Sequence, residues 1–369
     1  MHELTKLEAL RFIAEHASLI DRPAPTSNPF SKSAWLSHFI EQICEPDWSI
    51  LAPHDLVNGE SLMLLYASAS SKHTWAALSN YYSSLFSPLI TTVTDRAEAA
   101  NRLVAQIVAA KPRCATINLS PLESDNPDGL NVAAALARRG WYVRRYFCFG
   151  NWYLPCDGMS FQSYMGQRDS KLHNTWTRKS KRFFAGPGNR IEIVSTPSET
   201  DRAMDAYDSI YSKSWKNAEP YPGFVRAWAR VCALQGWLRL GIASVDGVPI
   251  AAQFWFTVDR RAYVFKLAYD EDYSRWSAGT VLSAKMFEHS LDIDRVIEID
   301  YLTGDDPYKK TWMSHRRERI GIIAHNPRTL RGLVLSIKEF AAAMRARIRR
   351  KLRTDSSATA EDGATTLAG

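Results

Sequence analysis

The sequence predicts a mixed α/β fold in which two related halves follow one another. Three observations carry this reading. Short apolar runs such as IEIV, LRLGIASV, PIAAQFWFTV and YVFKLAY have the length and β-rich composition of strands. Segments with apolar residues at helical spacing, such as 95–110, lie between runs of this kind. Strands and one or two helices then recur in a similar order before and after about Pro155 to Phe161. With 369 residues and 46% hydrophobic content, the chain can bury a large core.

Taken in order, the first twenty residues read as a helix, followed by a Pro- and Ser-rich loop over 21–33 and a helix near 34–44. LMLLYAS, HTWAALS and CATINLS read as strands, with the acid-capped helix of 95–110 between the last two. NVAAALARRG is a helix ended by Gly140, and WYVRRYFCFGNWYL one long strand. In the second half, residues 163–184 predict one basic helix and 199–216 another. The turns Asp246-Gly247 and Asp259-Arg260 predict antiparallel hairpins. A helix from Thr280, a strand from Val296, a helix from Pro307 and the strand IGIIA complete this half. The expected divisions are 1–157, 158–327, a basic helix at 328–353 and a disordered tail at 354–369.

The formal net charge of +7 is unevenly placed. Between Arg328 and Arg353 stand nine basic residues and a single acid, Glu339, so the remaining chain is close to neutral. That distribution argues against a DNA-binding body; the basic segment could instead touch an anionic membrane surface or RNA. The five cysteines are widely spaced and the nine histidines scattered, so neither a disulfide framework nor a metal site is expected. No apolar run has the length of a membrane span, and the N-terminus lacks a signal-peptide centre, so a cytoplasmic location is expected.

The stretch from Tyr263 to Trp312 carries the candidate chemistry. Ser277 can cap the helix that follows the first strand, and Ala278, Gly279 and Thr280 at its mouth leave room for an anion to reach the backbone. A phosphate-bearing cofactor is expected there. The neighbouring strand, VIEIDY, leaves Asp300 near its end, and Asp306-Pro307 begins the next helix. Tyr308, Trp312 and His315 fall on one face of it, while Lys309, Lys310, Arg316 and Arg317 could meet phosphates. The basic residues of 163–184 could grip an acidic substrate or phosphate. No G-x-S-x-G or Cys/His pair suggests a covalent nucleophile.

LRLGIASVDGVPIAAQFWF, YVFKLAYDEDYSRWSAGTVL and IDYLTGDDPYKKTW, in this order, resemble the CelD/BcsL-type acyltransferases, a FemAB-like branch of the GNAT N-acyltransferase superfamily. The resemblance covers about Ser163 to Ala324, and the earlier NYYSSLFSPL and GNWYLP also look like this branch. It implies two GNAT-like halves and an acyl-CoA, such as acetyl-CoA, with its pyrophosphate at Ala278, Gly279 and Thr280. The usual R/Q-x-x-G-x-G/A signature is altered here, since Ser277-Ala278-Gly279-Thr280 follows Arg275-Trp276. The implied activity is acyl transfer to an amine or hydroxyl of a small or sugar-like acceptor, in exopolysaccharide or envelope metabolism. Two alternatives stay open: an aminoacyltransferase using aminoacyl-tRNA, and a catalytically silent binding protein. In the catalytic reading Asp300 helps deprotonate the acceptor and Tyr308 donates to the leaving thiolate.

Overall fold

The structure is a computed structural model that describes residues 1–23, 28–56, 61–91 and 95–345. The first half runs β1 (His2–Leu4), α1 (Lys6–Glu15), α2 (Ala17–Ile20), α3 (Ser33–Ile43), β2 (Ser49–Ala52), β3 (His54–Asp55), β4 (Ser61–Leu62), β5 (Leu65–Ala67), β6 (Thr74–Ala77), β7 (Leu89–Ile90), α4 (Arg96–Ala109), β8 (Thr116–Glu123), α5 (Pro127–Arg138) and β9 (Tyr142–Pro155). The expected N-terminal helix is thus preceded by a strand. Its start is fixed by Thr5, whose N–H donates to Glu8 at 2.8 Å while its hydroxyl accepts from the Glu8 N–H.

The second half runs α6 (Phe161–Gly166), α7 (Ser170–Phe184), β10 (Arg190–Val194), α8 (Pro197–Ser212), α9 (Phe224–Leu234), β11 (Leu238–Val245), β12 (Val248–Val258), β13 (Arg261–Tyr269), α10 (Ala278–Glu288), β14 (Glu298–Asp300), α11 (Pro307–Trp312) and β15 (His315–His325). Both hairpin turns have the left-handed backbone that such tight connections require, at Asp246, Gly247, Asp259 and Arg260. The single basic helix expected over 163–184 is instead two. The chain breaks at 167–169, where Asp169 is extended and Arg168 turns inward to donate to the Trp312 carbonyl (3.4 Å). The helix expected over 199–216 stops at Ser212, which frees Trp215 and Lys216 for a loop. His315 opens β15 rather than extending α11. A helix over 330–345 follows. Residues 346–369, with the rest of the basic segment and the tail, lie outside the described residues.

Among the described residues twelve strands form one mixed sheet, ordered β1-β2-β5-β6-β8-β15-β9-β14-β13-β12-β11-β10; β3, β4 and β7 form a small second sheet. The large sheet repeats one plan from its two edges inward. β1, β2, β5 and β6 are antiparallel and β8 joins β6 in parallel. At the other edge β10, β11, β12 and β13 are antiparallel and β14 joins β13 in parallel. Each half then gives its last strand away. β9 pairs with β14, β15 pairs with β8, and the two exchanged strands pair with each other from His315↔Tyr153 to His325↔Tyr142. The halves are therefore knitted at the centre of the sheet.

Strand alternation separates the layers. Phe254 and Phe256 face a core shared with α3, α8 and α9, whereas Trp255 faces the core under α7 and α10. The first of these cores crosses between halves: Trp35 of α3 meets Trp228 of α9 edge to face, centroids 4.8 Å apart. Under α10 the packing is close enough that a Cβ on Gly241 would lie 2.6 Å from the Met286 sulfur. Gln253 fastens this helix to the sheet, its amide donating to Ser283 Oγ (2.7 Å) and the Gly279 carbonyl (3.2 Å). α10 is held rigidly over β12.

Candidate active site

The site begins where β13 and β14 part. Their parallel pairing ends at Tyr263↔Asp300, and β13 continues alone on that side to Tyr269. Two cavities meet at this gap. One, of about 500 Å³, lies between the sheet and α7, α10 and α11, and is lined by Lys171, Gln253, Tyr269, Gly279, Thr280 and Thr311 among others. The second, of about 320 Å³, is bounded by Tyr81, Tyr82, Lys216, Lys266, Asp306 and Lys309. Trp215, Leu267 and Tyr308 line both. Tyr308 therefore stands at the junction.

At the mouth of α10, Ser277 does not cap the helix as the sequence predicts. It sits in the left-handed region (φ 51°, ψ 38°) and makes no capping bond. The N–H groups of Ala278 and Gly279 have no hydrogen-bond partner among the described residues, and Gly279 and Thr280 border the large cavity. Free first-turn N–H groups and the positive end of the helix dipole suit a phosphate there. The equivalent crossover helix of the first half, α4, has its mouth occupied: the Asp95 carboxylate accepts from the Glu98 N–H at 2.8 Å. Only the second half offers an open helix mouth between its parallel strands, among the described residues.

Lys309 lies apart from that mouth, in the second cavity. Its ammonium is buried and donates to the carbonyls of Thr303 (2.5 Å) and Gly304 (3.4 Å), and it pairs with Asp306 (3.2 Å). It clamps the turn before α11 rather than facing a phosphate at the α10 mouth. Asp306-Pro307 begins α11 as expected, but the Asp306 side chain makes no capping bond because its carboxylate is turned to Lys309.

Asp300 is placed in a third cavity, with Glu123, Glu298, Arg317 and Arg319. Its Oδ2 pairs with Arg317 at 2.6 Å, while Oδ1 accepts from Asn151 Nδ2 and the Leu302 N–H, both at 2.6 Å. Arg317 also pairs with Glu298 (2.8 Å) and donates to Asn151 Oδ1 (2.6 Å). Arg319 reaches Glu123 of β8 at 2.8 Å and the same Asn151 oxygen at 3.1 Å. The network thus crosses β8, β15, β9 and β14, the seam of the two halves. Asp300 and Tyr308 are not brought into one cavity, and both oxygens of Asp300 are already engaged.

Of the residues in and around the second cavity, sequence reasoning singled out Asp306, Tyr308 and Lys309 but missed Lys216, Glu219 and Lys266. Glu219 accepts from Tyr81 (2.5 Å), Tyr82 (2.6 Å) and Lys266 (2.6 Å). Burial pushes its carboxyl up, but these donors outweigh that and hold it below the usual range. Lys216, over the rings of Trp215 and Tyr211 at 5.7 and 5.9 Å, forms no ion pair among the described residues. Burial, with Lys266 nearby, lowers its ammonium to about 8. For Tyr308, burial and then the Asp306 charge push the phenol up, so it stays a proton donor at neutral pH. A further sequence signal here was the Tyr81-Tyr82 pair of NYYSSLFSPL, contributed by the first half.

Comparison with known proteins bears on the fold. Residues 170–310 match the acetyltransferase (GNAT) domain family. The C-terminal domain (DUF2156) of a putative lysylphosphatidylglycerol synthetase from Agrobacterium fabrum is 12% identical, with a TM-score of 0.54 over 88% of this chain and 95% of that one. FemX is 11% identical, with a TM-score of 0.57 over 88% and 96%. L-PGS from Bacillus licheniformis is 10% identical, with a TM-score of 0.51 over 89% and 95%. A search of the curated proteins finds no match to the sequence. At these identities the likeness is one of fold. The chain has a mixed α/β fold of the GNAT type, and the part of its second half over residues 170–310 is similar to the acetyltransferase (GNAT) domain family.

Proposed function

We propose that the protein transfers an acyl group from acyl-CoA to an amine or hydroxyl of a small acceptor. The donor occupies the larger cavity, with its pyrophosphate at Ala278, Gly279 and Thr280, and the acceptor occupies the second. The observation that supports this reading is the junction of the two cavities at Tyr308, with an uncapped helix mouth on the donor side. Residues 158–327 would form the catalytic half, and 1–157 would supply the wall carrying Tyr81 and Tyr82.

In this reaction the acceptor's lone pair forms a bond to the thioester carbonyl carbon and the C–S bond breaks. The acceptor proton goes to Lys216, and Tyr308 gives its proton to the departing thiolate. Lys216 replaces Asp300 as base because it faces the acceptor cavity and forms no ion pair among the described residues. With its pKa near 8, about one molecule in ten is neutral at pH 7, against about one in several thousand for an ordinary lysine. Asp300 positions the β14 end through Arg317 and Asn151.

Because neutral Lys216 is the active form, kcat/KM should rise with pH and level off above about 8. In Lys216→Met that limb should vanish, with CoA affinity unchanged; a variant that keeps the limb would exclude Lys216 as the base. The donor site is tested separately by calorimetric titration of CoA against the wild-type chain and Gly279→Glu. A Cβ at Gly279 meets only Tyr269, at 3.7 Å, and an acid in the first turn favours the helix. The variant should therefore keep its Tm while CoA binding weakens about tenfold or more through charge repulsion. Wild-type protein that takes no CoA but transfers from aminoacyl-tRNA would replace the donor.

A further inference from the structure

The C-terminal helix over 330–345 turns its apolar side to solvent. Leu330, Leu333, Val334, Ile337, Phe340 and Met344 are all exposed, with Leu330 at 82%, Ile337 at 59% and Phe340 at 58%. At 3.6 residues per turn these positions fall within one arc of about 120°. The side that meets the body carries buried Gly332 and Ser336, and Glu339, which pairs with Arg144 of β9 at 2.9 Å. An ordinary surface helix has these two sides reversed.

The charges are arranged around that stripe. Arg331, Lys338 and Arg345 follow one another along one border of it. The sequence continues with Arg347, Arg349, Arg350, Lys351 and Arg353. Glu339, the lone acid of this segment, is the residue turned inward to Arg144. Among the described residues no helix is long and apolar enough to cross a membrane.

We propose that this helix is an interfacial anchor that lays its apolar stripe into the surface of an anionic lipid bilayer. The stripe supplies insertion and the bordering cations supply attraction to lipid phosphates. A second copy of the chain fits the stripe poorly, since pairing two such helices would bring like charges together. RNA would engage the cations but leave the stripe in water.

The full chain should sediment with vesicles of phosphatidylcholine containing about 30 mol % phosphatidylglycerol and not with phosphatidylcholine alone. Binding should fall about tenfold in high salt. Ile337→Glu with Phe340→Glu should lower it by a similar factor while Tm is kept, because both side chains are exposed. Arg178→Glu with Lys181→Glu, on the separate basic helix α7, should leave binding intact. Equal binding to neutral vesicles, or indifference to the stripe variant, would overturn the proposal. So would RNA binding without vesicle binding, or a dimer in ultracentrifugation that the stripe variant disperses.

Discussion

Arg317→Met is expected to be the most destabilising single change at the seam. Arg317 neutralises both Asp300 (2.6 Å) and Glu298 (2.8 Å), and it is also held by Asn151. Its guanidinium feels burial first, but the two carboxylates outweigh that and strengthen its charge. Methionine fills a similar volume yet leaves two acids facing each other at low solvent exposure. Breaking a buried pair in this way costs about 3–5 kcal/mol, or a fall in Tm of about 5 °C for a chain of this length. Thermal and denaturant unfolding measure it directly. The companion variant Asp300→Asn separates two roles: as a member of the ion-pair network it should lose stability, with an unchanged pH–rate limb in the surviving enzyme. Normal stability with lost turnover would restore Asp300 as the base.

Tyr308→Phe is expected to lower kcat by about 10²-fold while leaving KM for acyl-CoA nearly unchanged. The ring survives and still borders both cavities, so only the proton donor is removed. Tyr308 lies edge-on to Tyr301, centroids 5.9 Å apart, a contact that phenylalanine keeps. The loss should appear as slower release of free thiol in single-turnover experiments, where product release cannot mask it. Unchanged turnover would remove Tyr308 from the chemistry.

The parts of the fold that sequence made legible are those fixed by local rules. The Asp246-Gly247 and Asp259-Arg260 turns, the apolar run of β12 and the Pro307 helix start all depend on neighbours within a few residues. The small residues of the α10 mouth were legible for the same reason. The partners of Asp300 were not, because Arg317 and Asn151 reach it through strands that come together only in the folded sheet. The strand exchange was equally hidden: β9 and β15 look like the ends of their own halves, and pairing partners leave no mark in a strand's own period. Lys216 was read into a helix that stops at Ser212, and in the loop beyond it gains the burial that sets its pKa. Local signals marked the α10 mouth; distant packing supplied the wall of the second cavity.

The exchanged strands also set an order of events during synthesis. When the first half has emerged from the ribosome, β8 has its parallel neighbour β6 but a bare edge where β15 belongs. β9 has been made but its partners, β14 and β15, have not. That edge stays open until residue 325 is available, and an open edge is the part of a sheet that recruits other chains. The nascent first half should therefore be the aggregation-prone species, and a chain cut after residue 157 should be insoluble rather than merely inactive. Completion of β15 closes the last edge at the centre of the sheet, so the two halves become stable together.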